Sequence, residues 1–260
     1  MAELVTLATD AGLAIITLNR PEAGNAMSMD LILTLGNVTE RIAADESVRA
    51  VVILAEGRNF CVGGDISAFA SEKEPDRFIS ALADALHESV RRLAALEAPV
   101  IIGVQGAAAG AGLSLAAGAD LVLAGEGASF TMAYTAIGLT GDGGATWYLP
   151  RVIGLRRAQE LAFTNRRLSA GEALEWGLVT RVVADDVLRD ETIALGRRMA
   201  AGPTRAYGGV KRLFMAGAGA SLGDQLDAEA RAIGAAMRTR DAQGAAKAFL
   251  ERRKIEFEGE

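Results

Sequence analysis

One cysteine, one histidine and five prolines occur in 260 residues, and aromatic side chains make up only 5%. The lone cysteine, Cys61, closes no internal disulfide, and one histidine, His87, is too few for a Cys/His zinc cluster. Basic residues are outnumbered, 27 Lys and Arg against 33 Asp and Glu. No basic stripe interleaves with aromatics, which counts against nucleic acid as a partner. Half of the residues are hydrophobic, yet no apolar run reaches the roughly 18 residues that span a bilayer. Met1-Ala2-Glu3-Leu4-Val5-Thr6 has neither a basic n-region nor an apolar h-region, so a cytoplasmic chain with no membrane partner is expected. Arg20, Lys211-Arg212 and Arg252-Arg253-Lys254 are candidate local sites for a polyanion, although singly each reads as solvated surface.

Glycine is plentiful, thirty residues in all, and two segments concentrate it. They are Phe60-Cys61-Val62-Gly63-Gly64-Asp65-Ile66 and Gln105-Gly106-Ala107-Ala108-Ala109-Gly110-Ala111-Gly112-Leu113-Ser114-Leu115. Each follows an apolar strand-like run, Ala50–Ala55 and Pro99–Val104, and each leads into a segment able to open a helix. Small residues let backbone approach a ligand, and the first N–H groups of a helix lack internal partners. Two such turns facing each other would hold one developing oxyanion between two amides.

The remaining pattern supplies a scaffold. Leu4–Thr9 and Leu13–Leu18 flank the turn signal Asp10-Ala11-Gly12 and read as a hairpin. Ser28 is placed to cap a helix to about Ala44, with Leu31, Leu35, Val38 and Ile42 on one face. Residues 67–77 read as a polar, irregular loop. Pro75 is expected to start a helix to about Leu96, and short strands follow at Leu121–Ala124 and Ser129–Met132. Strand, glycine turn and helix recur about every fifty residues, an α/β layered pattern. From about Leu188 the periodicity is helical throughout: 188–200, 203–216, 221–239 and 241–252. The expected division is a core at 1–195 and a helical region at 196–260.

These segments resemble the crotonase family, the enoyl-CoA hydratase/isomerase superfamily, over nearly the whole chain. Leu18-Asn19-Arg20-Pro21 with Asn25-Ala26 is similar to its N-terminal signature, and the two glycine segments to its oxyanion turns. Thr140–Gly144 through Leu149–Gly154, and Ser169–Val179, are similar to its later loop and helix. The resemblance implies a ββα spiral core, a C-terminal helical region for trimer contacts, often a dimer of trimers, and acyl-CoA thioester substrates. It implies no metal, nicotinamide or flavin; coenzyme A enters as part of the substrate. By position, the Gly64 and Ala111 N–H groups would grip the thioester oxygen. Ala23, Val62, Asp65, Ile66, Tyr134, Ile137, Lys211 and Phe249 would contact substrate, with Asp65 also capping the turn behind the oxyanion site. Lys211 and the Phe249–Arg253 segment would approach the adenosine phosphate, and Gly24 stands where the family often has a basic residue.

Departures from the family pattern carry more information. The two glutamates that activate water in family hydratases fall at Ser114 and Tyr134, and neither is a carboxylate. Serine holds no proton-abstracting charge near neutral pH and tyrosine titrates near pH 10, so two-carboxylate hydration is not expected. Ser114 reads as a helix-packing residue and Tyr134 as a pocket wall. One acid stands in the right loop, Asp142 within Gly141-Asp142-Gly143-Gly144. It matches the aspartate of several family isomerases, the dienoyl-CoA and ring-epoxide phenylacetyl-CoA groups among them, and could carry a proton between carbons of the acyl group. Taken alone, Asp142 would read as a helix cap. The same aspartate is a nucleophile in 4-chlorobenzoyl-CoA dehalogenases, which His87 also resembles by its distance before Pro99. His87 by itself reads as part of an ordinary amphipathic face. The remaining alternatives are enoyl-CoA hydratase activity despite the missing glutamates and a non-catalytic acyl-CoA binder.

Overall fold

Two-residue alternation near the start closes a hairpin. In the computed structural model, which describes residues 3–70 and 72–260, β1 (Val5–Asp10) and β2 (Leu13–Leu18) pair antiparallel with Asp10 opposite Leu13. Ala11 and Gly12 turn the chain at φ of 47° and 80°, the positive values that a two-residue hairpin loop requires. Ser28 then accepts the Leu31 N–H and opens α1 (Met29–Ala44), which buries the expected Leu31, Leu35, Val38 and Ile42.

Next come β3 (Ala50–Ala55), α2 (Ile66–Ala70), α3 (Pro75–Ala95), β4 (Val100–Val104), β5 (Ala107–Ala109) and α4 (Ala111–Ala117). They are followed by β6 (Leu121–Gly125), β7 (Ser129–Thr131), a 3-10 turn Tyr134–Ile137, α5 (Ala145–Val152) and α6 (Leu155–Thr164). β8 (Leu168–Ser169), α7 (Ala170–Trp176) and β9 (Arg181–Val183) complete the strands, before α8 (Leu188–Ala200), α9 (Thr204–Gly217), α10 (Leu222–Ala236) and α11 (Arg240–Leu250). The larger sheet runs β1-β2-β3-β4-β6-β9, parallel beyond the hairpin, and the smaller runs β5-β7-β8. Successive strands β4 and β5, then β6 and β7, go one to each sheet before the chain turns helical, which is a ββα spiral.

β3 is buried along its whole length, as a parallel strand covered on both faces must be. Val51, Ile53 and Ala55 join the core that α1 and α3 cover, while Ala50, Val52 and Leu54 pack with Leu188 and Leu195 of α8. At Gly196 a Cβ would stand 2.5 Å from Val52 Cγ2, so glycine sets how closely α8 approaches the sheet. The division drawn between 195 and 196 thus falls inside a helix that covers the core. The last residues also return to it: Asp241 accepts the Glu258 and Gly259 N–H groups, and Arg49 donates to the Phe257 carbonyl.

One loop expectation is corrected. Residues 67–70 of the expected 67–77 loop belong to α2, capped by Asp65, whose carboxylate accepts the Ser67 hydroxyl and the Ala68 amide. Five residues are too short for a helical period to show in sequence. Residue 71 of that loop lies outside the described residues. Among the described residues no helix is long and apolar enough to cross a membrane.

Candidate active site

Hydrogen bonds zip the two glycine turns together. Phe60 N–H donates to the Gln105 carbonyl at 2.8 Å, Cys61 N–H to Ala107 at 3.1 Å, and Ala109 N–H to Cys61 at 2.9 Å. At Gly112 a Cβ would lie 2.3 Å from the Cys61 carbonyl oxygen, so only glycine lets α4 start this close to the first turn. The Gly63 carbonyl accepts the Met27 N–H at 2.8 Å, and the Gly110 carbonyl accepts Ser114 N–H at 3.0 Å. In a planar trans peptide the following N–H points opposite to its carbonyl. Gly64 N–H and Ala111 N–H therefore point away from those bonds, and neither has an acceptor among the described residues.

Both residues line a cavity of about 440 Å³. Its walls are largely apolar, with Met27, Val62, Ile66, Phe69, Leu82, Leu86 and Ile137 among them, and Asp142 is its only carboxylate among the described residues. Asp142 does not cap α5, whose N-cap residue is Gly144 and which has no side-chain cap. Its Oδ1 lies 2.6 Å from His87 Nε2 on α3, and its Oδ2 has no partner among the described residues. Gly143 follows at φ 61°, where a Cβ would meet Ser114 Cβ at 3.0 Å. Left-handed glycine thus lets the loop pass Ser114 and turn its acid inward.

Ser114 and Tyr134 hold that loop by its backbone. Ser114 Oγ donates to the Asp142 carbonyl at 2.7 Å and lies 2.9 Å from the Tyr134 hydroxyl, which is itself 3.2 Å from the same carbonyl. Ser114 Oγ also sits 3.1 Å from the Gly110 carbonyl, so one buried hydroxyl touches both the oxyanion turn and the acid-bearing loop. Burial pushes the Tyr134 phenol well above its ordinary pKa, which keeps it a protonated donor. Burial likewise pushes the Cys61 thiol up to about 12.

His87 and Ser114, candidate site residues by sequence, are both in contact with Asp142. His87 is not merely part of an amphipathic face, and Ser114 is more than packing. Neither contact is visible locally, because the partners are 55 and 28 residues apart. Val62, Ile66, Tyr134 and Ile137 line the cavity, whereas Ala23, Asp65, Lys211 and Phe249 do not. Asp65 stands behind the turn, ion-paired with Arg20 at 2.8 Å. The Ser67 hydroxyl first, and Arg20 after it, hold its carboxyl below the usual range. Lys211 is not free for a phosphate: its ammonium binds Asp120 at 2.8 Å and the Leu93 carbonyl at 3.1 Å, because α9 crosses the end of α3. Phe249 is exposed on α11. At Gly24, φ is 60° and a Cβ would meet Val62 Cγ1 at 2.9 Å, which explains why no basic side chain stands there. The sequence reading missed Met27, Phe69 and the α3 residues Leu82 and Leu86; the apolar face of α3 was the available signal.

The chain is similar to known proteins over nearly its whole length. The model of the family described as enoyl-CoA hydratase/isomerase matches residues 8–260. The 1,2-epoxyphenylacetyl-CoA isomerase of Escherichia coli is 37% identical over all of both chains. A 4-chlorobenzoyl coenzyme A dehalogenase of an Arthrobacter species is 35% identical over 81% of this chain and 77% of its own. A Mycobacterium abscessus structure assigned to the enoyl-CoA hydratase/isomerases superposes with a TM-score of 0.95 at 37% identity, covering 98% of this chain and 100% of its own. The chain belongs to the enoyl-CoA hydratase/isomerase family.

Proposed function

We propose that this protein is an acyl-CoA isomerase that moves a proton between carbons of an unsaturated or ring-bearing acyl group. The observation that carries the reading is that, among the described residues, Asp142 is the one carboxylate in a cavity that also presents the unpaired Gly64 and Ala111 amides. The thioester oxygen would lie between those amides, which stabilise the negative charge that develops as the carbon acid ionises. Asp142 Oδ2 would take the proton from one carbon and return it to another. The walls are largely apolar, and Ser114 and Tyr134 carry no charge with which to activate a water.

Asp142→Asn is expected to lower isomerisation of a 3-enoyl-CoA by about 10²–10⁴-fold, the usual worth of a positioned base. Full activity in that variant would refute the assignment. Hydration of crotonyl-CoA should be weak or absent, and a rapid fall of its enoyl absorbance with purified protein would argue for a hydratase instead. One observation favours a second reading: the 2.6 Å contact of His87 with Asp142 suits an aspartate nucleophile of the dehalogenase kind. A covalent aryl ester on Asp142, trapped by mass spectrometry from an aryl-CoA, would decide for it. Tight binding of CoA esters without turnover or solvent exchange would favour a non-catalytic binder.

We also infer a homotrimer or a dimer of trimers, supported by the exposed Phe214, Leu222, Leu226 and Ile233 on α9 and α10. Phe249, exposed on α11, would be available to a neighbouring subunit. Light scattering of the purified protein checks the mass.

A further inference from the structure

His87 has one edge committed and one edge open. Its Nε2 meets Asp142 Oδ1 at 2.6 Å, yet His87 is not among the residues that line the acyl cavity. Its side chain is 35% exposed, and Nδ1 has no hydrogen-bond partner among the described residues. The ring thus touches the acid with one edge and is partly open to water without lining the cavity, and the Asp142 side chain is itself 27% exposed. An acyl group seated against Ile66, Phe69, Leu82 and Ile137 would close the cavity side of Asp142 to solvent and leave the path through the ring open. Imidazole suits such a path, because it can take a proton on one nitrogen while releasing one from the other.

We propose that His87 is a proton relay that connects Asp142 to bulk water while substrate occupies the cavity. The proposal rests on Asp142 acting as the proton carrier. Asp142 Oδ2 takes a proton from the carbon next to the thioester, leaving the electron pair in the enolate. Neutral His87, whose Nε2–H donates to the carboxylate at rest, exchanges that proton with water for one on Nδ1; the carboxyl then turns, and its O–H donates to the freed Nε2. The imidazolium then loses its Nδ1 proton to water and returns to the neutral ring. The reverse path brings a solvent proton to Asp142 and from there to carbon. The sum replaces one carbon-bound hydrogen by one solvent hydrogen, with no change in oxidation state. Relay and direct return compete for each abstracted proton, so isomerisation and solvent exchange become separable outcomes of one base.

The test uses the full-length protein with 3-hexenoyl-CoA in D₂O. Mass spectrometry reads deuterium in recovered substrate and in product at low conversion, beside the rate of isomerisation. Wild type is expected to place deuterium in both pools. His87→Gln keeps an N–H toward Asp142 but carries no proton onward, and should lower exchange at least tenfold more than it lowers isomerisation. His87→Ala should lose exchange too, and added imidazole should restore it. Isomerisation by wild type without solvent deuterium would overturn the relay. So would exchange that falls only in step with isomerisation, or a His87→Ala exchange that imidazole does not raise. Exchange at the carbon next to the thioester without isomerisation, lost in His87→Gln, would support the relay and overturn the isomerase reading. An absence of any exchange in wild type overturns the relay whatever the reaction proves to be.

Discussion

Gly112→Ala is the substitution that the geometry of the two turns makes most informative. The added Cβ would stand 2.3 Å from the Cys61 carbonyl oxygen, 2.8 Å from Cys61 Cβ and 3.0 Å from its carbonyl carbon. Two of these three atoms are backbone, so no rotamer change relieves the clash. Ordinary contact begins near 3.4 Å, so α4 and the first turn must separate by about 1 Å, an overpacking that costs about 1–3 kcal/mol. The same shift strains the Ala109 N–H to Cys61 carbonyl bond at 2.9 Å and parts Ala111 N–H from Gly64 N–H. An oxyanion held by one donor instead of two loses on the order of 10²–10³ in kcat. The assay is isomerisation of a 3-enoyl-CoA by the folded fraction, with melting temperature and near-ultraviolet circular dichroism measured on the same sample. Gly171→Ala is the control: it is exposed in α7, with nothing within 4 Å of the new Cβ, and should leave kcat alone. A Gly112→Ala protein with kcat within about threefold of wild type and an unshifted melting temperature would refute the argument. It would mean that the turns are not held at contact distance.

Two further outcomes follow from groups around the turns. Cys61 is fully buried and its thiol is pushed up to about 12 by burial, and the thiolate is the reactive form. The native protein should therefore show no thiol to an aromatic disulfide reagent at pH 8 and one thiol after unfolding; rapid labelling of the native state would contradict the packing. Asp65 is held below the usual carboxylate range by Ser67 and Arg20. A carboxyl with a depressed folded pKa adds stability above its unfolded value, about 3.9, and loses it as pH falls through the folded value. Urea midpoints of wild type should thus exceed those of Asp65→Asn at pH 6, with the gap narrowing toward pH 3. A gap that stays constant between those pH values would rule out this linkage.

The sequence alone determined the hairpin, the Ser28 cap and the four C-terminal helices, because turn residues, caps and helical periods act over a few residues. It also pointed to both glycine turns and to Asp142, since a glycine that must admit backbone or adopt positive φ leaves its mark in the chain. It did not show α2, whose five residues are held by the Asp65 cap and by Phe69 packing on the core. Nor did it show that α8 belongs to the core, which follows from Gly196 lying against β3. Lys211 looked free for an anion until α9 brought it to Asp120. Only the tertiary structure put His87 on Asp142 and made Ser114 a link between the oxyanion turn and the acid loop. Those contacts join residues from separate turns of the spiral, and their distances depend on how whole helices pack rather than on any local pattern.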